Sequence, residues 1–231
     1  MKNKLLILNN KCNFNLEQLI SYASVLKTLN NENIILCPST CYLASNELSG
    51  ITLGSQDVSL YNGGAYTGEV SAEQLKSLGV NYSLVGHYER VNYFDESLAV
   101  VHKKIENLLQ YDIVPIVCVS ESTFSFGMDT LSSIMNNLDE VLDNFMDSEL
   151  EKIIIAYEPY YSIGSNIVPA LDDLNKIFES IHEKYPKSKL VYGGSVSLDN
   201  VGKFNECRYI DGYLIGNLSL DINSVKALST K

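Results

Sequence analysis

The stretch Ile154-Ile155-Ala156-Tyr157-Glu158-Pro159-Tyr160-Tyr161-Ser162-Ile163-Gly164 carries an apolar run straight into a carboxylate and then into a loop bounded by proline and glycine. The run reads as a buried strand spanning Lys152 to Glu158. A glutamate at the carboxyl end of such a strand is partly desolvated, which raises its proton affinity, and a loop that closes over it excludes water. The pattern fits a base beneath a lid. Taken alone, it fits equally well a strand-end glutamate that caps the next helix.

Seven further apolar runs bounded by polar or glycine turns flank it: Lys4 to Asn9, Asn33 to Cys37, Ile51 to Gln56, Tyr82 to Val85, Ile113 to Val119, Lys189 to Tyr192 and Ile210 to Ile215. Between them lie stretches of helical period, including Glu17 to Leu29, Ser71 to Leu78, Glu96 to Gln110, Met128 to Phe145 and Leu171 to Tyr185. Continuous apolar strands joined by helical crossovers call for a parallel sheet covered on both faces. Eight repeats in this length favour a (β/α)8 barrel of the α/β class over an open sheet. A flavodoxin-like sheet with fewer strands is the alternative. A barrel requires its chemistry at the carboxyl ends of the strands. Lys11 follows the first run, Gly86-His87 the fourth, Glu158 the sixth, Gly193-Gly194-Ser195 the seventh and Gly216-Asn217 the eighth, so ionisable groups and tight turns converge on one face.

The 231 residues, 45% hydrophobic and 19% charged, can bury a full core, and no Pro/Gly/Ser-rich linker interrupts them, so residues 1–231 read as one domain. A formal charge of −11 argues against nucleic acid as a partner, since a phosphate backbone needs a cationic face. The first apolar run is too short for a secretory signal or a membrane span, so no membrane association is expected. Five cysteines, Cys12, Cys37, Cys41, Cys118 and Cys207, are an odd number without disulfide-framework spacing, which fits a reducing, cytoplasmic home. Cys37 and Cys41 lack the second ligand pair that a structural zinc site wants, and no metal is expected.

Side by side, these segments resemble the triosephosphate isomerase family. Asn9-Asn10-Lys11-Cys12-Asn13 is similar to its first loop, Gly64 to Glu73 to its third and Gly86-His87-Tyr88-Glu89-Arg90 to its fourth. Ala156 to Gly164 resembles the base and lid, Tyr192-Gly193-Gly194-Ser195-Val196 the seventh loop, and Asp211 to Leu220 the eighth strand and its phosphate turn. The likeness runs from end to end in motif order. It implies a single-domain barrel enzyme, an aldose-ketose isomerase acting on a small phosphorylated sugar. The expected reaction interconverts dihydroxyacetone phosphate and glyceraldehyde 3-phosphate, in glycolysis and gluconeogenesis, without a cofactor.

The chemistry follows from the residue types. Moving a carbonyl to the neighbouring carbon needs a base that lifts a proton from one carbon and returns it to the next, and Glu158 is placed for this. The enediolate between them needs donors at its oxygens, which Lys11 and His87 supply, with the imidazole neutral where a helix begins after it. By resemblance, Asn9 joins these three, and Glu89 orients Lys11 or relays protons, although an ion pair with Lys11 or Arg90 alone would also explain it. Gly164, Ser195, Gly216 and Asn217 are where the family presents main-chain N–H groups to phosphate, with a short helix near Ser219. Asn217 stands where glycine is usual and is expected to tolerate a left-handed backbone.

The resemblance further implies that Ile163 and Leu214 clamp the base, Tyr192 holds the shut lid and Glu121 holds the open lid through Tyr161. Cys118 is expected as a buried packing thiol, and His102 and His182 as surface residues. The loop Leu60 to Glu69, carrying Thr67, is expected to insert into a second copy and make a homodimer. Tyr88, where a serine usually bonds the resting base, and Val91, where arginine is common, depart from the family. These departures keep two alternatives open: a catalytically weak or silent relative with a binding role, or an isomerase of another aldose or ketose phosphate.

Overall fold

The computed structural model describes residues 4–121, 130–163, 165 and 167–230. Eight parallel strands close on themselves in the order β1 to β8, with β8 returning to β1: β1 Leu5–Asn9, β2 Ile34–Cys37, β3 Thr52–Ser55, β4 Tyr82–Val85, β5 Val114–Val119, β6 Ile154–Tyr157, β7 Lys189–Tyr192 and β8 Gly212–Ile215. Each lies within two residues of its expected place. The closing pair, Leu5 against Gly212 through Leu8 against Ile215, removes the open edge that a flavodoxin-like sheet would keep.

The apolar runs are continuous because both faces of every strand are buried. Leu5, Ile7, Ile35, Leu84, Ile116 and Val191 fill the barrel interior. Leu6, Leu8, Leu36 and Leu190, one residue out of phase, pack outward against the helices.

The helices are α1 Leu16–Thr28, α2 Ala72–Ser77, α3 Tyr88–Tyr93, α4 Leu98–Gln110, α5 Thr130–Val141, α6 Asp147–Leu150, α7 Leu171–Lys184, α8 Val201–Phe204 and α9 Ile222–Ser229. In α7 the buried side chains are Leu174, Ile177, Phe178 and Ile181, the spacing of one helical stripe. Helix α1 starts at a reciprocal cap in which the Asn15 side chain takes the Gln18 N–H and Gln18 returns a bond to the Asn15 N–H. Helix α4 begins two residues after the expected Glu96. Ser97 accepts the Val100 N–H as its cap, and Glu96 turns inward to accept the Gly86 N–H. Between β2 and β3 the crossover holds only the 3-10 turns Thr40–Tyr42 and Asn46–Leu48. The helix expected from Met128 to Phe145 is seen as Thr130–Val141, ending four residues early, and Met128 and Asp129 lie outside the described residues.

His102 and His182 are half-buried and not free on the surface. His102 Nδ1 lies 3.0 Å from the Val141 carbonyl and its ring rests on Phe145, joining α4 to the end of α5, while His182 stacks on Tyr209.

Candidate active site

The strand ends deliver Glu158, His87, Lys11 and Asn9 to one cavity of about 390 Å³, lined also by Ile163, Gly193, Ser195, Leu214, Gly216 and Asn217. Glu158 follows β6 directly. Its N–H donates to the Val119 carbonyl at 2.9 Å, and its own carbonyl accepts from Ser120 Oγ at 2.6 Å, so the backbone beneath the carboxylate is fixed. The side chain is only 3% exposed and, among the described residues, Oε2 has no hydrogen-bond partner. Burial pushes the carboxyl above the ordinary range, while His87, the Cys118 thiol hydrogen-bonded to it, and Lys11 pull the other way. Cys118 is itself buried and held well above its usual value, first by burial and then by Glu158, so it remains a neutral thiol.

His87 is the N-cap of α3, and its Nδ1 accepts the Glu89 N–H at 3.2 Å. A ring nitrogen that accepts carries no proton, so the neutral tautomer bears its hydrogen on Nε2. Nε2 is the atom that faces Glu158, 3.4 Å from Oε1. Beneath it, Glu96 binds Gly86 and both Arg90 and Lys104, and Asp57 binds the same two cations at 2.8 and 2.6 Å. This four-charge cluster anchors the loop that aims His87. Sequence reading missed it because its members are spread over the loop after β3, α3, the loop before α4 and α4 itself.

Lys11 adopts φ +52, a strained conformation for a residue with a long side chain. It is held there by Asn9 Oδ1, which accepts its N–H, and by Ser39 Oγ and Gln56 Nε2, which both donate to its carbonyl. Asn9 therefore shapes the loop as well as lining the cavity. Lys11 Nζ is 2.5 Å from Glu89 Oε1. Glu89 does not line the cavity; it reaches the site through Lys11, and Arg90 pairs elsewhere.

At the opposite end, Asn217 opens the 3-10 turn Asn217–Leu220 and lies outside the left-handed region. Its substitution for glycine needs no special backbone tolerance, contrary to expectation. As the first residue of the turn, its N–H has no partner within that turn. The helix expected near Ser219 is this turn followed by α9, whose N-terminus is already capped by Asp221 accepting from Asn223 and Ser224. Ile163 and Leu214 both line the cavity beside the base. Gly164 lies outside the described residues.

Two aromatic expectations change. The Tyr88 ring stacks on Tyr160, centroids 6.4 Å apart, and does not line the cavity that holds Glu158. With Val91 it borders a separate, mostly apolar cavity of about 190 Å³. Glu121 takes its hydrogen bond from Tyr157, at 3.4 Å, and the Tyr161 ring packs edge-on against Tyr160 instead.

A family model described as triosephosphate isomerase matches residues 4–231. A triosephosphate isomerase from Alkaliphilus metalliredigens is 35% identical, the match covering 84% of this chain and 84% of the relative. One from Mycoplasmopsis agalactiae is 36% identical over 89% of this chain and 79% of the relative. One from Buchnera aphidicola is 32% identical over 99% and 98%. A match to nearly the whole chain, on a closed eight-stranded barrel with its ionisable groups at the strand ends, leaves one assignment: this chain is a member of the triosephosphate isomerase family.

Proposed function

We propose that the chain interconverts dihydroxyacetone phosphate and glyceraldehyde 3-phosphate, the triose step shared by glycolysis and gluconeogenesis. The observation that carries this is the pairing of a buried carboxylate with a neutral imidazole, Glu158 Oε1 3.4 Å from His87 Nε2, with the Lys11 ammonium in the same cavity. Glu158 removes a proton from the carbon next to the carbonyl. The electron pair forms the enediolate, whose oxygens are met by the Nε2–H and by Lys11. The proton then returns to the neighbouring carbon while the hydroxyl proton passes between the two oxygens. Oxidation of one carbon matches reduction of the other, so the step balances within one molecule. The raised proton affinity of Glu158 brings a carboxylate closer to the basicity that carbon acids demand.

The phosphate is held by main-chain N–H groups at Ser195, Gly216 and Asn217, with Gly164 assigned on the resemblance alone. Backbone donors suit a protein of charge −11, whose global field opposes an anion. A silent binding relative is the weaker reading, because base, electrophile and cation are assembled together. Addition of glyceraldehyde 3-phosphate to the purified chain, coupled to a dehydrogenase that consumes dihydroxyacetone phosphate, tests the proposal. Turnover at or below the uncatalysed rate rejects it.

We further propose a homodimer built on the Leu60–Glu69 loop. Tyr61 and Tyr66 stack at 3.6 Å on its exposed tip, which leaves two aromatic rings facing water unless a second copy covers them. Thr67 is exposed on the same loop. Sedimentation at micromolar concentration decides it, and a fully active monomer would refute the insertion. A cytoplasmic setting is supported by five free cysteines, two of them exposed. No helix among the described residues is long and apolar enough to cross a membrane.

A further inference from the structure

Ser162, four residues past the base, is fully buried. Its hydroxyl donates to the Ile167 carbonyl at 2.5 Å, lies 3.3 Å from the Tyr192 hydroxyl and accepts the Ser195 N–H at 3.1 Å. A serine hydroxyl owns one donor and two acceptor positions. With its proton committed to Ile167, both Tyr192 and Ser195 must donate to it, and the group is saturated. Burial pushes the Tyr192 phenol up to about 12, so it keeps the proton it donates. Ser195 Oγ donates back to the Ser162 carbonyl at 2.5 Å, making the pairing reciprocal. Gly194 makes room for this arrangement: a Cβ there would lie 2.1 Å from the Tyr192 hydroxyl and 2.8 Å from Ser162 Oγ.

The consequence concerns the phosphate. Ser195 lines the cavity, yet its N–H is spent on a side chain of the segment that follows Glu158. We infer that Ser162 is a positioning residue whose hydroxyl accepts the Ser195 N–H and is exchanged for a phosphate oxygen when an anionic ligand binds. The inference rests on the phosphate assignment made above. It makes anion binding an exchange of one acceptor for another and not the filling of a free donor. It also ties phosphate arrival to the backbone that carries the base, since releasing Ser162 frees the chain only four residues beyond Glu158.

Calorimetric titration with glycerol 3-phosphate, which has the phosphate but no carbonyl, tests this on three proteins: the parent chain, Ser162→Ala and Tyr192→Phe. Ser162→Ala no longer has a bond to give up, and its affinity is expected to rise about two- to tenfold, the worth of one neutral hydrogen bond. A merely structural role for Ser162 would move affinity the other way. Tyr192→Phe removes another partner of Ser162 but leaves the Ser195 N–H occupied, so it is expected to show no gain in affinity over the parent. Unchanged or weaker binding by Ser162→Ala, an equal gain in Tyr192→Phe, or no binding to any of the three overturns the exchange. Tightening in Ser162→Ala alone, from a parent that fails to turn over glyceraldehyde 3-phosphate, leaves the exchange standing and removes the isomerase reading.

Discussion

Gly193→Ala is a one-carbon change whose effect can be worked from the geometry. A Cβ at residue 193 would sit 2.5 Å from Glu158 Cγ, 3.1 Å from Oε1 and 3.2 Å from Cδ. Carbon atoms in ordinary contact lie about 3.5 Å apart, so one partner must give way by about 1 Å. Neither backbone is free to do so. Gly193 donates its N–H to the Tyr157 carbonyl at 2.8 Å, and Glu158 is held by Val119 and Ser120. The carboxylate itself must therefore turn away from His87. Misplacing a reacting group by about 1 Å costs roughly 10²-fold in rate. The expected result is a kcat about 100-fold lower, with glycerol 3-phosphate affinity nearly unchanged because the Ser195 to Asn217 end of the cavity is not touched. The coupled assay reads the rate, calorimetry the affinity and circular dichroism the fold. A folded variant with kcat within about threefold of the parent would refute the placement of the base against Gly193.

Glu158→Gln should be more stable than the parent at neutral pH. The folded carboxyl lies above its unfolded value, so its stabilising contribution is complete below the unfolded pKa and is lost as pH rises through the folded one. The variant lacks that loss, worth about 1.4 kcal/mol for each pH unit between the two values, and its advantage in urea unfolding should vanish near pH 4. An advantage that persists unchanged into acid contradicts the burial argument. Lys11→Met should weaken glycerol 3-phosphate binding and slow turnover together, by about 10- to 100-fold each, since one charge-assisted contact is removed. Unaltered affinity on titration rules out that role. For Tyr88→Ser, whose ring stacks on Tyr160 away from the base, we expect a stability loss of about 0.5–1.5 kcal/mol and a kcat change under about tenfold. A hundredfold rate loss in a folded protein would give the tyrosine a part in the chemistry.

The fold was legible because a barrel buries both faces of every strand, and that constraint writes continuous apolar runs whose ends differ from the observed strands by no more than two residues. The residues that line the cavity were legible as candidates because they follow those runs closely. What supports them was not. Gln56 and Ser39 reach the Lys11 carbonyl from the ends of other strands, and Glu96, Asp57 and Lys104 meet beneath His87 from separate elements. Such contacts depend on closure of the barrel and leave no local pattern. Lys11 shows the same limit: a left-handed backbone is expected in the site at Asn217, whose type tolerates it, and occurs there at Lys11, which the side chains of Asn9, Ser39, Gln56 and Glu89 hold in place. The resemblance sets Tyr88 where a serine usually bonds the resting base, yet the turn into α3 sends its ring to Tyr160.

The central claim is that Glu158 is the base of an isomerase whose phosphate grip lies elsewhere. The most direct measurement compares the parent chain and Glu158→Gln for conversion of glyceraldehyde 3-phosphate to dihydroxyacetone phosphate, with the affinity of each for glycerol 3-phosphate titrated on a separate sample. The account predicts turnover by the parent, a loss of about 10²- to 10⁴-fold in the variant, and affinities that agree within about threefold. A variant that turns over at the parent's rate would contradict it, because some other group would then have to move the proton.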